Sequence, residues 1–129
     1  MTRNVIETNR APKAIGPYSQ GIAADGWIFT AGQLGLDPAT GELVAGGAAA
    51  EAEQALRNLD AVLEAAGSGL AHAVKTTVFL ADLSDYATVN EVYARHFKAP
   101  YPARSAVQVA RLPKDARVEI EVVARRSGS

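Results

Sequence analysis

The chain has 129 residues, of which 48% are hydrophobic and 21% are charged, a composition typical of a globular protein rather than a disordered tail. Its 13 basic and 14 acidic side chains give a formal net charge of -1, which argues against nucleic acid or anionic lipid as a partner. The absence of cysteine excludes disulfides, thiolate metal sites and a cysteine nucleophile. We expect a single domain over residues 1–129. With no signal-like or membrane-spanning apolar run in the sequence, we also expect a cytoplasmic location.

The first two β-favouring segments of the chain lie at residues 19–25 (SQGIAAD) and 27–34 (WIFTAGQL). The Asp25-Gly26 dipeptide between them suits the positive φ angles of a tight turn, which predicts an antiparallel hairpin. Residues 36–44 (LDPATGELV) contain Pro38 and Gly41 without periodicity and are predicted to form a surface loop.

The middle of the chain alternates helix and strand patterns. Apolar residues recur at helical spacing over residues 49–66, and Gly67 is expected to end that helix. Residues 74–82 (VKTTVFLAD) are rich in β-branched residues and predict a strand. A strand reached through a helix usually pairs in parallel by a right-handed crossover, so we predict a βαβ unit.

A second helix is predicted over residues 84–97, with an inward stripe formed by Tyr86, Val89, Asn90, Tyr93 and Phe97. Residues 103–110 and 116–124 alternate with period two, and the RLPKD segment between them favours a turn, which predicts a final hairpin. This order implies an α+β fold: a mixed β-sheet with both helices packed on one face. The other face then meets water or further copies of the subunit, so we expect an oligomer.

Polar side chains alternate along the two strands of the predicted final hairpin. Arg104 shares a face with Ala106, and Glu119 shares a face with Glu121. A register that pairs polar with polar would bring Arg104 and the glutamates together. Arginine pairs bidentately with a carboxylate, and a glutamate can orient or deprotonate water. A solvated ion pair on the surface is the alternative interpretation.

Other polar residues leave two interpretations open. Tyr18 follows Gly16-Pro17, where its phenol either points into a cleft or covers apolar surface. Asn90 either fixes a nearby loop or reaches a ligand. The two histidines lie in different elements without a metal-binding motif, so no metal site is predicted. The sequence contains no P-loop or G-x-S-x-G motif.

Five segments together resemble the YjgF/YER057c/UK114 family, and within it the RidA-type reactive intermediate deaminases. They are IGPYSQG at 15–21, TAGQ at 30–33, KTTVFLADL at 75–83, YATVNEVY at 86–93 and PARSAVQVARLPKDARVEIE at 102–121. The resemblance implies a chorismate-mutase-like fold and a homotrimer with sites between subunits. It also implies hydrolysis of 2-iminopropanoate and 2-iminobutanoate to 2-keto acids and ammonia, with no metal or organic cofactor.

The same resemblance assigns roles to residues within its motifs. It implies that Arg104 binds the substrate carboxylate, that Glu119 orients water, and that Tyr18 is the third catalytic residue. The other residues expected to bind substrate, besides Arg104, are Asn90, Ala106, Ala31 and Gly32. Two positions depart from many deaminating members, which have cysteine where this chain has Ala106 and serine where it has Ala31. Thiol-dependent chemistry is therefore excluded, while Ala106 retains its backbone N–H as a donor.

Two other functions are kept as alternatives. Some relatives are described as endoribonucleases or translation inhibitors, but the net charge and the sparse aromatic residues argue against RNA binding. A non-catalytic module that binds small carboxylates, or a holdase, would use the same cleft or the surface of the trimer without turnover.

Overall fold

In the computed structural model, which describes residues 2–127, a seven-stranded mixed β-sheet packs against two α-helices. The strands are β1 (Asn4–Ile6), β2 (Gly21–Ala24), β3 (Trp27–Thr30), β4 (Gln33–Leu34), β5 (Ala73–Leu80), β6 (Ala103–Gln108) and β7 (Val118–Arg125). The helices are α1 (Gly47–Ala65) and α2 (Tyr86–His96). The strand order is β1-β2-β3-β7-β5-β6, with β4 also paired to β7. The predicted α+β class, with a mixed sheet and two helices, is confirmed.

The predicted hairpin near the start of the chain is present as β2 and β3, which pair antiparallel. Its two turn residues, Asp25 and Gly26, have φ angles of 52° and 81°, as the sequence predicted. The loop predicted at 36–44 is confirmed and contains one isolated bridge, between Leu36 and Leu43. Strand β1 was not predicted, because three residues are too few to show a period.

Helix α1 begins two residues before the predicted start and ends before Gly67 as expected. Gly67 has a φ of 77°, and the N–H of Ser68 donates to the carbonyl of Leu63, which closes the last turn. The fully buried Leu56, Leu59 and Leu63 lie on the side of α1 that faces the sheet. Burying each such side chain stabilises the fold by about 1.5–3 kcal/mol, so this stripe holds the helix on the sheet.

The predicted final hairpin is wrong. Strand β5 lies between β6 and β7, and it pairs parallel with β6 and antiparallel with β7. For α1, the predicted direct pairing of the flanking strands is also wrong, because β7 lies between β3 and β5. Both strands pair antiparallel with β7, so β3 and β5 do run parallel to each other in the same sheet. Strand β7 occupies this central position because one of its faces is wholly apolar and buried, namely Val118, Ile120, Val122 and Ala124. A parallel β-α-β connection does occur, from β5 through α2 to β6.

The inward stripe of α2 differs from the predicted one. Its buried residues are Val89, Val92 and Tyr93, whereas Tyr86 and Asn90 are exposed at the margin of the helix. Phe97, just beyond the helix, is buried and stacks on Tyr93 with ring centroids 4.3 Å apart. The two polar side chains are therefore displaced from the core towards the edge of the sheet.

Both helices pack on the same face of the sheet, and the opposite face exposes large apolar side chains. Phe29, Val107 and Trp27 point away from the helices and are 47%, 44% and 37% exposed. Neither of the two α-helices described between residues 2 and 127 is both long enough and apolar enough to cross a membrane. The sheet thus offers one core face and one face with apolar residues open to contact.

Candidate active site

Arg104 lies on the edge strand β6, on the face that carries the helices. Its register partner on β5 is Thr76, whose hydroxyl bonds Tyr93 of α2 at 2.7 Å. The guanidinium Nη1 donates to Asn90 Oδ1 at 2.7 Å, and Nη2 donates to the Tyr86 hydroxyl at 2.7 Å. Its carbon atom Cζ lies 4.7 Å from the ring centroid of Tyr93. Helix α2 therefore fixes both the position and the plane of this cation.

A small cleft beside the guanidinium brings together three of the predicted site residues, Arg104, Ala106 and Asn90. A neighbouring hollow of about 420 Å³ extends from Arg104 along α2 to Tyr101. The N–H of Val109 donates to the carbonyl of Leu80, and N–H directions alternate along a strand. The N–H of Ala106 therefore points to the edge of β6, where no further strand pairs within residues 2–127.

Glu119 lies on β7, on the sheet face opposite the helices. Its register partners are Phe79 on β5 and Leu34 on β4. Partial burial raises the pKa of the Glu119 carboxyl, and the neighbouring negative charge of Glu121 raises it further. A half-buried carboxylate with a raised pKa is a stronger base than an exposed one, which suits proton transfer from water.

The absence of a side chain at Gly32 leaves room for the Glu119 carboxyl. A Cβ atom at position 32 would lie 2.8 Å from the carboxyl carbon of Glu119, so any side chain there would displace the carboxyl from its present place. The two residues line one cleft of about 350 Å³ together with Tyr18, Lys13 and Lys114. The Tyr18 hydroxyl accepts a hydrogen bond from the N–H of Ile15 at 3.2 Å, which holds the ring beside the cleft. Three predicted site residues, Tyr18, Gly32 and Glu119, thus come together.

The predicted convergence of Arg104 and Glu119 within one hairpin is wrong. The two residues lie on opposite faces of the sheet, on strands that β5 separates. Ala31, another predicted site residue, borders neither cleft, and its N–H donates to the carbonyl of Gln20 at 2.9 Å. The chain therefore presents a fixed cation on one face of the sheet and a half-buried carboxylate with a raised pKa on the other.

A profile of the family described as endoribonuclease L-PSP matches residues 8–126. The chain belongs to this family. The resemblance predicted from its motifs is thereby confirmed.

Within the endoribonuclease L-PSP family, the human protein named 2-iminobutanoate/2-iminopropanoate deaminase is 55% identical over 124 residues, which cover 96% of this chain and 90% of its own. RidA from the Antarctic bacterium Psychrobacter sp. has a TM-score of 0.91 at 48% identity, covering 95% of this chain and 98% of that one. Escherichia coli TdcF, solved with bound serine, has a TM-score of 0.90 at 49% identity, covering 96% and 99%. The fold is therefore that of RidA structures.

In this family member, sequence reasoning missed the partners that hold Arg104. Tyr86, Asn90 and Tyr93 were placed on one stripe of α2 because they recur at helical spacing. That spacing was a usable signal that they contact one common group. The sequence did not identify that group, because no local pattern indicates that β6 pairs with β5 beside α2.

The two histidines lie in different elements of the fold and do not form a metal site within residues 2–127. His96 Nε2 bonds Glu53 Oε1 at 2.8 Å and links α2 to α1. His72 lies in a short 3-10 turn before β5. Among residues 2–127, no group of three or more potential ligands from His, Asp and Glu is placed to hold a metal ion.

Proposed function

We propose that this chain hydrolyses reactive 2-imino acids, such as 2-iminopropanoate and 2-iminobutanoate, to 2-keto acids and ammonia, and so limits imine damage. The observation that carries the proposal is the 55% identity, over 96% of the chain, to a protein named 2-iminobutanoate/2-iminopropanoate deaminase. The geometry supports it, because Arg104 and Glu119, which we regard as two half-sites, supply a carboxylate-binding cation and a base. The reaction needs both groups.

Arg104 is proposed to bind the carboxylate of the substrate. Two of its N–H donors bond Asn90 and Tyr86, and the remaining donors stay available for a planar anion. The N–H of Ala106 at the edge of the sheet is proposed as a further donor. Asn90 acts mainly by fixing the guanidinium, which positions the imine carbon at low entropic cost.

Glu119 is proposed to activate the water that attacks the imine. As the water oxygen bonds to C2, one water proton passes to the Glu119 carboxylate and from there to the imine nitrogen, which becomes an amine. Glu119 then takes the proton of the carbinolamine hydroxyl, whose oxygen becomes the keto oxygen as the C–N bond breaks. It passes this proton to the departing nitrogen, which leaves as ammonia, so Glu119 ends the cycle ionised.

Tyr18, Gly32 and Ala31 complete the proposed site. Gly32 leaves the space that the Glu119 carboxyl occupies, and Tyr18 borders the same cleft with an exposed ring. Ala31 is kept as a substrate-binding residue through its place in the TAGQ segment beside Gly32. No metal or organic cofactor has a step in this scheme.

We further propose that the protein is a homotrimer of single-domain protomers with its sites between subunits. Because Arg104 and Glu119 lie on opposite sheet faces, a complete site needs Arg104 from one protomer and Glu119 from the next. The exposed Phe29, Val107 and Trp27 on the open face provide apolar surface for such contacts. We place the reaction in the cytoplasm, without a nucleic acid or membrane partner.

The experiment is a keto-acid assay with imines generated in situ by an amino-acid oxidase. Wild-type protein should accelerate keto-acid release, and Glu119→Gln, which is similar in size but cannot accept the proton, should not. Equal rates with and without the wild-type protein would reject the proposal.

The family description itself names an endoribonuclease, so the same preparations should be incubated with RNA. Cleavage that disappears in Glu119→Gln, without imine hydrolysis, would favour that function instead. Binding of a 2-keto acid without any turnover would favour the carboxylate-binding module.

A further inference from the structure

Helix α1 carries two buried polar side chains on the face that packs against the sheet. Glu51 is 4% exposed and Asn58 is 1% exposed, although the stripe around them is apolar. They are seven residues apart, two helical turns, and so lie along the same side of the helix. Polar side chains that are buried in this way are nearly always hydrogen-bonded to other groups of the protein.

Glu51 holds the start of β7. Its Oε1 accepts a hydrogen bond from the backbone N–H of Arg117 at 2.7 Å. Arg117 immediately precedes β7, two residues before Glu119. A carboxylate that accepts a backbone N–H in a buried site forms a strong bond, so this end of the strand is fixed by the helix.

The same helix also holds the segment on the other side of the cleft. The Nδ2 of Asn58 donates to the carbonyls of Leu34 at 3.2 Å and Leu36 at 2.9 Å. Between them, a Cβ at Gly35 would lie 2.6 Å from the Cα of Glu51, so this segment packs directly on the helix backbone. This segment follows Gly32, whose missing side chain leaves the space for the Glu119 carboxyl.

We infer that Glu51 is a positioning residue for Glu119: by holding the N–H of Arg117, it keeps the Glu119 carboxyl against Gly32 inside the cleft. The inference rests on the proposed function, in which that carboxyl activates water. Burial and the charge of Glu121 both favour movement of the ionised Glu119 towards solvent, so its place needs support from the strand. A displacement on the order of 1 Å can lower turnover about a hundredfold.

The test compares two alanine variants of the same helix. Glu51→Ala removes the bond to Arg117. Asp60→Ala is the matched control, because Asp60 Oδ1 likewise accepts a backbone N–H, that of Leu70 at 3.0 Å, away from the cleft. We expect Glu51→Ala to lower kcat roughly 10- to 100-fold with little change in KM, whereas Asp60→Ala keeps the wild-type kcat.

The second readout is the pKa of Glu119, measured by carbon-13 NMR of its carboxyl carbon. In Glu51→Ala the carboxyl moves towards water, so its pKa should fall relative to the wild type. Glu51→Gln should restore both kcat and this pKa, because an amide oxygen accepts the same N–H. If Glu51→Ala does not fold, Glu51→Asp replaces it, since the shorter side chain withdraws the acceptor.

The outcomes separate the two proposals. If Glu51→Ala has an unchanged Glu119 pKa and the same kcat as the Asp60→Ala control, the positioning role is overturned and the proposed function stays intact. Wild-type protein without imine hydrolysis would reject the proposed function, and the NMR titration would still decide whether Glu51 places the Glu119 carboxyl.

Discussion

Arg104 owes its orientation to acceptors on α2 more than to its own strand. Asn90 and Tyr86 each accept one of its N–H groups, and the ring of Tyr93 lies beneath its plane. A lysine at this position keeps the charge but cannot bond these acceptors and a carboxylate in the same fork geometry. The residue therefore matters for its shape as well as its charge.

Arg104→Lys is expected to lower kcat/KM roughly 10- to 100-fold, because it loses one or two charge-assisted hydrogen bonds to the substrate. The keto-acid assay measures it, and circular dichroism should show an unchanged fold. Arg111→Lys is the matched control, since Arg111 is exposed and bonds only Asp115 within residues 2–127. Equal kcat/KM for wild type and Arg104→Lys would remove the bidentate grip from the mechanism.

In the proposed mechanism, the raised pKa of Glu119 sets the pH dependence of the reaction. Burial is the larger cause and the charge of Glu121 the smaller one, and both favour the protonated form. Because the base must be ionised, kcat/KM should fall as the pH decreases through a value above the ordinary range for glutamate. Glu121→Gln removes the like charge and should move this acid limb to lower pH. A limb that stays in place, or moves to higher pH, would show that another group controls it.

At the scale of elements, the His96–Glu53 bond ties α2 to α1. The hydrogen bond from His96 is the largest cause of the lowered pKa of Glu53, with Arg57 contributing as well. A lowered carboxyl pKa stabilises the folded state at any pH above the pKa of the unfolded chain. That contribution is lost as the pH falls through the folded-state pKa.

Glu53→Gln is therefore expected to lower the free energy of unfolding by about 1 kcal/mol at pH 7. The difference from wild type should shrink as the pH is lowered into the range where carboxyls protonate. Urea unfolding at one protein concentration and several pH values measures it. A difference that persists unchanged at low pH would show that the carboxylate charge is not responsible.

Local patterns predicted most elements but not their arrangement. The periodicity of α1 and the Asp25-Gly26 turn depend on neighbouring residues, and both were predicted from the sequence. The place of β7 between β3 and β5 depends on the match between its apolar face and α1, which no local pattern encodes. The wrong prediction of a final hairpin likewise brought Arg104 and Glu119 together, although β5 separates their strands. Motif resemblance still selected residues that line the two clefts, except Ala31.

At the scale of the whole molecule, the two half-sites impose an assembly on the proposed mechanism. Arg104 lies under α2 at the edge of the sheet, and Glu119 lies on the face that exposes Phe29 and Val107. A rigid sheet cannot bring these two groups together within one protomer. Imine hydrolysis by both residues therefore requires neighbouring protomers to share each site.

Subunit mixing tests this requirement most directly. Arg104→Lys should keep at most about a tenth of the wild-type activity and Glu119→Gln should be inactive. A sample co-refolded from equal amounts of both should regain activity in the keto-acid assay. In a trimer with sites between subunits, each mixed trimer has one junction with both native residues, so activity should reach about one quarter of wild type. The double variant taken through the same refolding is the control. Mixed samples that remain as inactive as the separate variants would contradict a shared site.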